Sequence, residues 1–447
     1  MNISGNVLLI LVGISLSFLM STCRASSPIQ DSSFQFGMAQ ADITPNYPIL
    51  LNGFLSRQQE APGTRQKIWA KAISLRASNG KPIVLLTVDT LGIPAEIRSK
   101  VAAAIEPLGV DNSALAITAT HTHSAPIIVG CAPNILGRDF TAEEQQHIQR
   151  YTEEFTAKLI DVAKQSLQST QPVSLSWAVG KVEFAKNRRS STGPIDHELP
   201  LLAVRDTSGK LLATYVSYAC HCVTLAEPMI SGDWAGYAQE NIEAKFPGSL
   251  SLVSIGCAGD QNPNSKTASD RIDLANEQGQ QIASEVGKLL ERAMKPVKPS
   301  AKTQWKQIDL EFAELPSKAD FEKIAEQKSP AGYHARKQLA RIESGTALPK
   351  AIPYPIQHWL LGDDLSLVFL GGEVTVEFGL RLKSEANGVS WVNAYANSCP
   401  CYIPSEAVLK QGGYEGGGAM IYYDQPGPLK AGLEAKIISS TLNLHKR

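Results

Sequence analysis

Along most of the chain, short apolar runs alternate with longer stretches in which apolar residues recur every three or four positions. The runs "IWAKAISLRA" (68–77), "PIVLLTVDTLG" (82–92), "LAITATH" (115–121), "LLATYVSYACH" (211–221), "LSLVSIGCAG" (250–259) and "LSLVFLGGE" (365–373) have the length and side-chain content of strands. Several lack the in-out alternation of a half-solvated sheet, so they read as strands covered on both faces. The segments 94–108, 141–168, 234–246, 268–294, 317–344 and 374–387 carry helical spacing. This order predicts an α/β fold with mixed β-sheet layers flanked by helices. The proline-rich polar stretch "KPVKPSAKTQ" (295–304) is the best internal boundary. Residues able to do chemistry lie on both sides of it, so it reads as a connection inside one large catalytic domain, 26–447.

The first 25 residues break the pattern. An apolar stretch from Val7 to Met20 is followed by the small polar segment Ser21-Thr22-Cys23-Arg24-Ala25, which reads as a signal peptide (1–25) and predicts a secreted or periplasmic protein. Cys23, in "LMSTC", keeps a lipid anchor open as the alternative. No later segment approaches the roughly 18 apolar residues of a membrane span, so no transmembrane segment is expected in the mature chain.

Composition narrows the partners. With 43% hydrophobic residues the chain can bury a large core, and 42 Lys plus Arg against 43 Asp plus Glu leave no charge excess to attract a nucleic acid or an anionic membrane. A small-molecule or neutral substrate fits better. Six cysteines follow the signal segment, Cys131, Cys220, Cys222, Cys257, Cys399 and Cys401. In an exported chain they read as disulfides or buried thiols, because the two Cys-x-Cys pairs lack the spacing of a zinc knuckle.

Candidate chemistry gathers where apolar strands end, the place where α/β sheets put their ligand sites. "LAITATHTHS" ends in His121 and His123, "YVSYACHC" in His221, "LVSIGCAGDQNPN" in Asp260 and Asn262, and "LVFLGGEV" in Glu373. Two neutral imidazoles and a carboxylate around an open position form a recurrent ligand set of catalytic zinc. A histidine at a strand end serves equally well as a hydrogen-bonded structural group. His147, His334, His358 and His445 have no clustered partners in the sequence.

The ordered motifs "QADITP" (40–45), "LNGF" (51–54), "THTHSAP" (120–126), "KNRRS" (186–190), "ISGDWAGYAQENIE" (230–243), "GCAGDQNPN" (256–264), "GGEVTVEFGLRLK" (371–383) and "CYIPSEAVLKQGGYEGG" (401–417) resemble the amino-terminal catalytic domain of the neutral, non-lysosomal ceramidase family. The resemblance implies a ceramidase-like fold and a zinc (Zn2+) amidase. It further implies His121, His221, Glu373 and Tyr402 as metal ligands, and His123 as the neighbour that polarises the scissile carbonyl or shuttles a proton. Arg188 and Tyr414 match residues that hold the polar end of a substrate. Asp89 matches a family aspartate and could orient a zinc-bound imidazole, while Asp233 reads either as a family residue or as a helix N-cap.

Two departures shape the functional expectation. The family's serine nucleophile is replaced by Asn262, and a carboxamide cannot form an acyl intermediate. The family's additional carboxy-terminal immunoglobulin-like domain is also expected to be missing, since the sequence ends about 30 residues after "YEGG". The leading expectation is therefore an exported zinc-dependent hydrolase of an N-acyl amide or related lipid-like substrate. It would use zinc-activated water, with His123 or Asp260 moving the proton and Asn262 donating to the oxyanion. The rivals are a catalytically inactive or repurposed zinc-site binding protein and a serine hydrolase built on Ser124.

Overall fold

The structure, a computed structural model, describes Met1, Asn2 and residues 33–77, 80–265, 270–385 and 389–446. Residues 3–32, which hold Cys23 and nearly all of the expected signal peptide, lie outside the described residues.

The first strands are β1 (Phe34–Asp42), β2 (Trp69–Ala77), β3 (Ile83–Val88) and β4 (Leu115–Ala119). They are followed by β5 (Gln171–Lys181), β6 (Ala185–Asn187), β7 (Glu198–Asp206), β8 (Leu211–Tyr218) and β9 (Leu250–Ile255). Next come β10 (Gln261–Pro263), β11 (Lys295–Val297), β12 (Ala301–Glu311) and β13 (Ala351–Leu361). The last are β14 (Leu365–Leu370), β15 (Glu373–Val374), β16 (Val389–Asn393) and β17 (Tyr402–Ile403).

One large sheet runs β4-β3-β2-β1-β5-β7-β8-β9, with β11 added to β5. Its end pairs β3–β4 and β8–β9 are parallel and the pairs between them antiparallel. A parallel pair needs a crossover, supplied by helix α1 (Ala95–Ile105) at one end and α3 (Asp233–Lys245) at the other. Between them in sequence lies α2 (Ala142–Gln168), started by a capping box of Thr141 and Glu144. The buried stripe of α2, Ile148, Tyr151, Phe155, Leu159 and Val162, packs on β1 and β2. Each such side chain contributes about 1.5–3 kcal/mol of burial. Helix α4 (Arg271–Leu290) lies on β5 and β7 beside α3.

A second sheet, β12-β13-β14-β16, lies against the opposite face of the first. Trp359, Leu361 and Leu367 from it meet Ile73, Leu85, Leu202 and Tyr215 from the larger sheet. Strands β3, β4, β8, β9 and β14 are buried along their whole length, which accounts for their unbroken apolar runs. The expected mixed-sheet α/β fold is what the chain adopts.

The expected helix 317–344 is divided into α5 (Lys318–Ala325) and α6 (Pro330–Glu343). Ser329 caps the second with its side chain on the Gly332 amide, and Pro330, which cannot continue a preceding helix, occupies its first turn. Helix α7 (Val376–Glu385) follows β15, a short α8 (Glu406–Gln411) follows β17, and α9 (Leu433–His445) covers β12 and β13. The stretch 295–304 is more than a polar connection. Its first residues form β11 and its last begin β12, so the chain crosses there from one sheet to the other.

The two ends of the large sheet approach each other. Strands β4 and β9 touch, Thr122 bridges Cys222 in parallel register, and the segment after β16 closes the gap. In that closure Ala119 N donates to Tyr395 O (3.1 Å) and Ala394 N to Ile255 O (2.9 Å). The loops after β4 and β8 therefore leave the sheet side by side.

Candidate metal centre

Those loops bring three imidazoles together. The ring nitrogens of His121, His123 and His221 come within 4.8 Å of one another. Glu373 enters from β15, which among the described residues pairs with β17 alone; the parallel register sets Glu373 opposite Tyr402. Its Oε2 lies 3.0 Å from His121 Nε2 and 3.1 Å from His221 Nε2. His123 Nε2 is 3.0 Å from His121 Nε2, and the Tyr402 hydroxyl is 3.4 Å from His221 Nε2.

The far side of each ring fixes its protonation. His121 Nδ1 faces Leu91 O (2.7 Å), His221 Nδ1 faces Ala258 O (2.7 Å) and His123 Nδ1 faces Gly53 O (3.0 Å). A carbonyl oxygen only accepts, so Nδ1 carries the hydrogen and each Nε2 turns a lone pair inward. Glu373 Oε2 is buried and receives no hydrogen bond. Apart from the Arg188 guanidinium, which comes within 3.4 Å of His221 Nε2, these acceptors face one another without a donor, an arrangement that is costly where water is excluded, and a cation among them removes that cost. Nitrogen and carboxylate donors in this number fit a transition-metal ion.

For His123 and His221, electrostatics agree with this protonation pattern. Burial drives His123 well below the ordinary histidine range and His221 to about 4. Burial alone would raise Glu373, but His121 and His221 outweigh it and hold the carboxyl well below its usual range. His123 and His221 are therefore neutral at pH 7. Because protonation competes with ligation, the His221 ring is expected to stay available to a metal until pH falls to about 4. Metal content after equilibration at each pH checks this.

His121 holds a left-handed φ of 55°, uncommon for a side chain with a Cβ, and its ring lies 4.3 Å from that of Tyr395. Close approach also explains a glycine of "LNGF". At Gly53, with φ 95°, an added Cβ would stand 2.5 Å from the His123 ring. Arg57 donates to His123 O and to Ser124 Oγ (3.3 Å) and stacks on Phe54.

A polar wall closes the side toward Tyr402. Strand β10 pairs with β6, setting Asn262 opposite Lys186 and bringing Arg188 over the cluster. Arg188 donates to Glu415 (2.7 Å), to the Tyr402 hydroxyl (3.0 Å) and to Asn262 Oδ1 (3.3 Å). Burial opposes its charge, but Tyr402 and Glu415 outweigh burial and raise its pKa further. Tyr414, 45% exposed, packs edge-on against Tyr402 and stands within cation-π reach of Arg188. It forms the outer rim.

Other sequence candidates sit apart from the cluster. Asp260 was expected to shuttle protons, but both of its oxygens are engaged elsewhere. Oδ1 accepts from Val376 N at the start of α7 (2.9 Å) and Oδ2 from Asn187 (2.8 Å), while Asp260 O accepts from Arg188 N (2.8 Å). Asp89 accepts from Trp69 N and Gln239, and the partner of the His121 ring is the carbonyl of Leu91 instead. Asp233 does not cap its helix through its side chain. Its carboxylate gathers the amides of Thr224, Leu225 and Trp234, fixing the loop after His221.

His147 pairs with Glu60, His334 with Gln338, and His358 and His445 with Ser366. All six described cysteines are buried free thiols, and none joins a metal-binding group among the described residues. Sequence reasoning passed over Tyr423, whose hydroxyl donates to Glu373 Oε1, and Arg57.

The sequence model of the neutral/alkaline non-lysosomal ceramidase family, N-terminal, matches residues 34–269. A structure of a ceramidase complexed with C2 superposes with a TM-score of 0.71 at 19% identity, covering 93% of this chain and 76% of that one. The crystal structure of neutral ceramidase from Pseudomonas aeruginosa gives 0.71 at 20% identity, covering 93% and 75%. No curated protein matches the sequence.

Proposed function

The chain belongs to the neutral/alkaline non-lysosomal ceramidase family, and from that premise we propose that it is an exported zinc-dependent hydrolase of an amide bond, acting on an N-acyl, lipid-like substrate. The observation that carries this reading is the buried meeting of three Nε2 lone pairs with an unpartnered carboxylate oxygen. We assign the ligands as His121, His221, Glu373 and Tyr402, and the catalytic unit as 26–447. The small polar segment ending at Ala25 supports export.

When bound, zinc supplies a Lewis acid and lowers the pKa of water to roughly 7. His123 is the least buried of the three imidazoles. Its free Nε2 takes a proton from the attacking water as the carbon–oxygen bond forms, and returns it to the nitrogen as the carbon–nitrogen bond breaks. Gly53 O and Arg57 keep this ring and its backbone in place. Asn262 has its Oδ1 held by Arg188, so Nδ2 is the end free to donate to the carbonyl oxygen as charge develops there. Arg188 and Tyr414 receive the polar end of the substrate. Asp260 acts at a distance, by fixing Asn187, Arg188 N–H and the start of α7 around Glu373.

Asn262 in the serine position favours one second reading, a family member that binds an amide lipid without cleaving it. Purified protein offered an N-acylated sphingoid base and simple N-acyl amides separates the two. Release of free fatty acid by protein carrying about one zinc per chain supports the hydrolase, whereas saturable binding without release supports the binder. Protein that folds fully and takes up no divalent metal contradicts the zinc hydrolase and leaves the binder.

A further inference from the structure

Resting on the metal reading of the cluster, we infer that Tyr423 is a positioning residue that decides which oxygen of Glu373 faces the imidazoles. Its hydroxyl donates to Oε1, and Oε2 is the oxygen turned toward His121 and His221. A carboxylate on a two-residue strand such as β15 has little backbone support of its own. With Oε1 engaged, rotation of the carboxyl group is blocked and one oxygen is presented inward.

The phenol is itself held from elements unrelated to the ligand loops. Tyr423 N donates to Met420 O (3.2 Å), and the next residue, Asp424, takes a left-handed φ of 59°. Asp424 is bound by Arg341 and Gln338 of α6 and by Asn134, whose own amide donates to Tyr422 O (3.1 Å). Tyr423 is also the residue shared between the metal centre and a separate cavity of about 510 Å³ lined by Trp305, Ile352 and Cys399. Tyr423 thus borders that space while its hydroxyl reaches Glu373.

The test is zinc affinity, measured by competition with a chromophoric chelator. Tyr423→Phe is expected to weaken Zn2+ binding about 10–100-fold, the cost of losing an outer partner of a metal ligand. Tyr422→Phe, one residue away and without contact to Glu373, is expected to bind as the wild type does. Equal affinity in Tyr423→Phe and the wild type overturns the inference while leaving the metal site intact. A wild type that binds no Zn2+ overturns the metal reading and the inference together. Should Tyr423→Phe fail to fold, Asp424→Asn decides: it keeps the phenol but loosens its anchor, so a severalfold loss supports the inference and unchanged affinity overturns it.

Discussion

Glu373→Gln is expected to leave the protein without bound metal, to lower kcat/KM by about 10³-fold or more, and to make the metal-free fold no less stable. The first two effects follow from charge. Among the described residues, Glu373 is the carboxylate that reaches His121 and His221, at 3.0 and 3.1 Å. Loss of a metal ligand removes several kcal/mol of transition-state stabilisation, and each 1.36 kcal/mol is about tenfold in rate. The third effect follows from hydrogen bonding. A glutamine carbonyl can accept from Tyr423 as Oε1 does now, which turns its amide N–H groups toward the imidazole lone pairs. Acceptors that faced one another then face a donor, worth about 1–3 kcal/mol per buried group satisfied. Metal analysis, steady-state kinetics and thermal melting of metal-free protein measure the three effects. A variant that keeps its metal, or that melts far below metal-free wild type, contradicts this account of the cluster.

Asn262→Ala is expected to lower kcat by about 10²–10³-fold with little change in KM and none in metal content, the signature of a donor used mainly in the transition state. The geometry behind it is the Arg188 contact to Oδ1, which leaves Nδ2 as the free donor. Asn262 does not touch the metal cluster directly, so metal binding is the control. Unchanged kcat in Asn262→Ala removes the oxyanion role and, with it, the main argument that an asparagine here is compatible with catalysis.

The positions that meet in the cluster were legible because local sequence creates them. An apolar strand buried on both faces must end in a polar turn, and His121, His221 and Glu373 each stand at such an end. Their meeting was not legible from any one motif. It depends on the two ends of a long sheet approaching each other and on a two-residue strand pairing Glu373 with Tyr402, both products of tertiary contact. Tyr423 illustrates the same limit, since it stands 50 residues beyond its partner and reaches Glu373 from a segment anchored on α6. Asp260 shows a different limit: its position after a strand suggests chemistry, while in the structure its Oδ1 accepts from the first amide of a helix that starts 116 residues later. The division of 317–344 was readable from Pro330, whose ring stops a helix and starts another. The pairing of 295–297 with β5 was not, because short edge strands carry almost no periodic signal.

The most direct test of the central claim is anomalous X-ray diffraction at the zinc edge on crystals grown with stoichiometric Zn2+. One dominant peak is expected about 2.0–2.2 Å from the Nε2 atoms of His121 and His221 and from Oε2 of Glu373. Well-ordered crystals with no peak among these atoms, or with the dominant peak elsewhere, would contradict it.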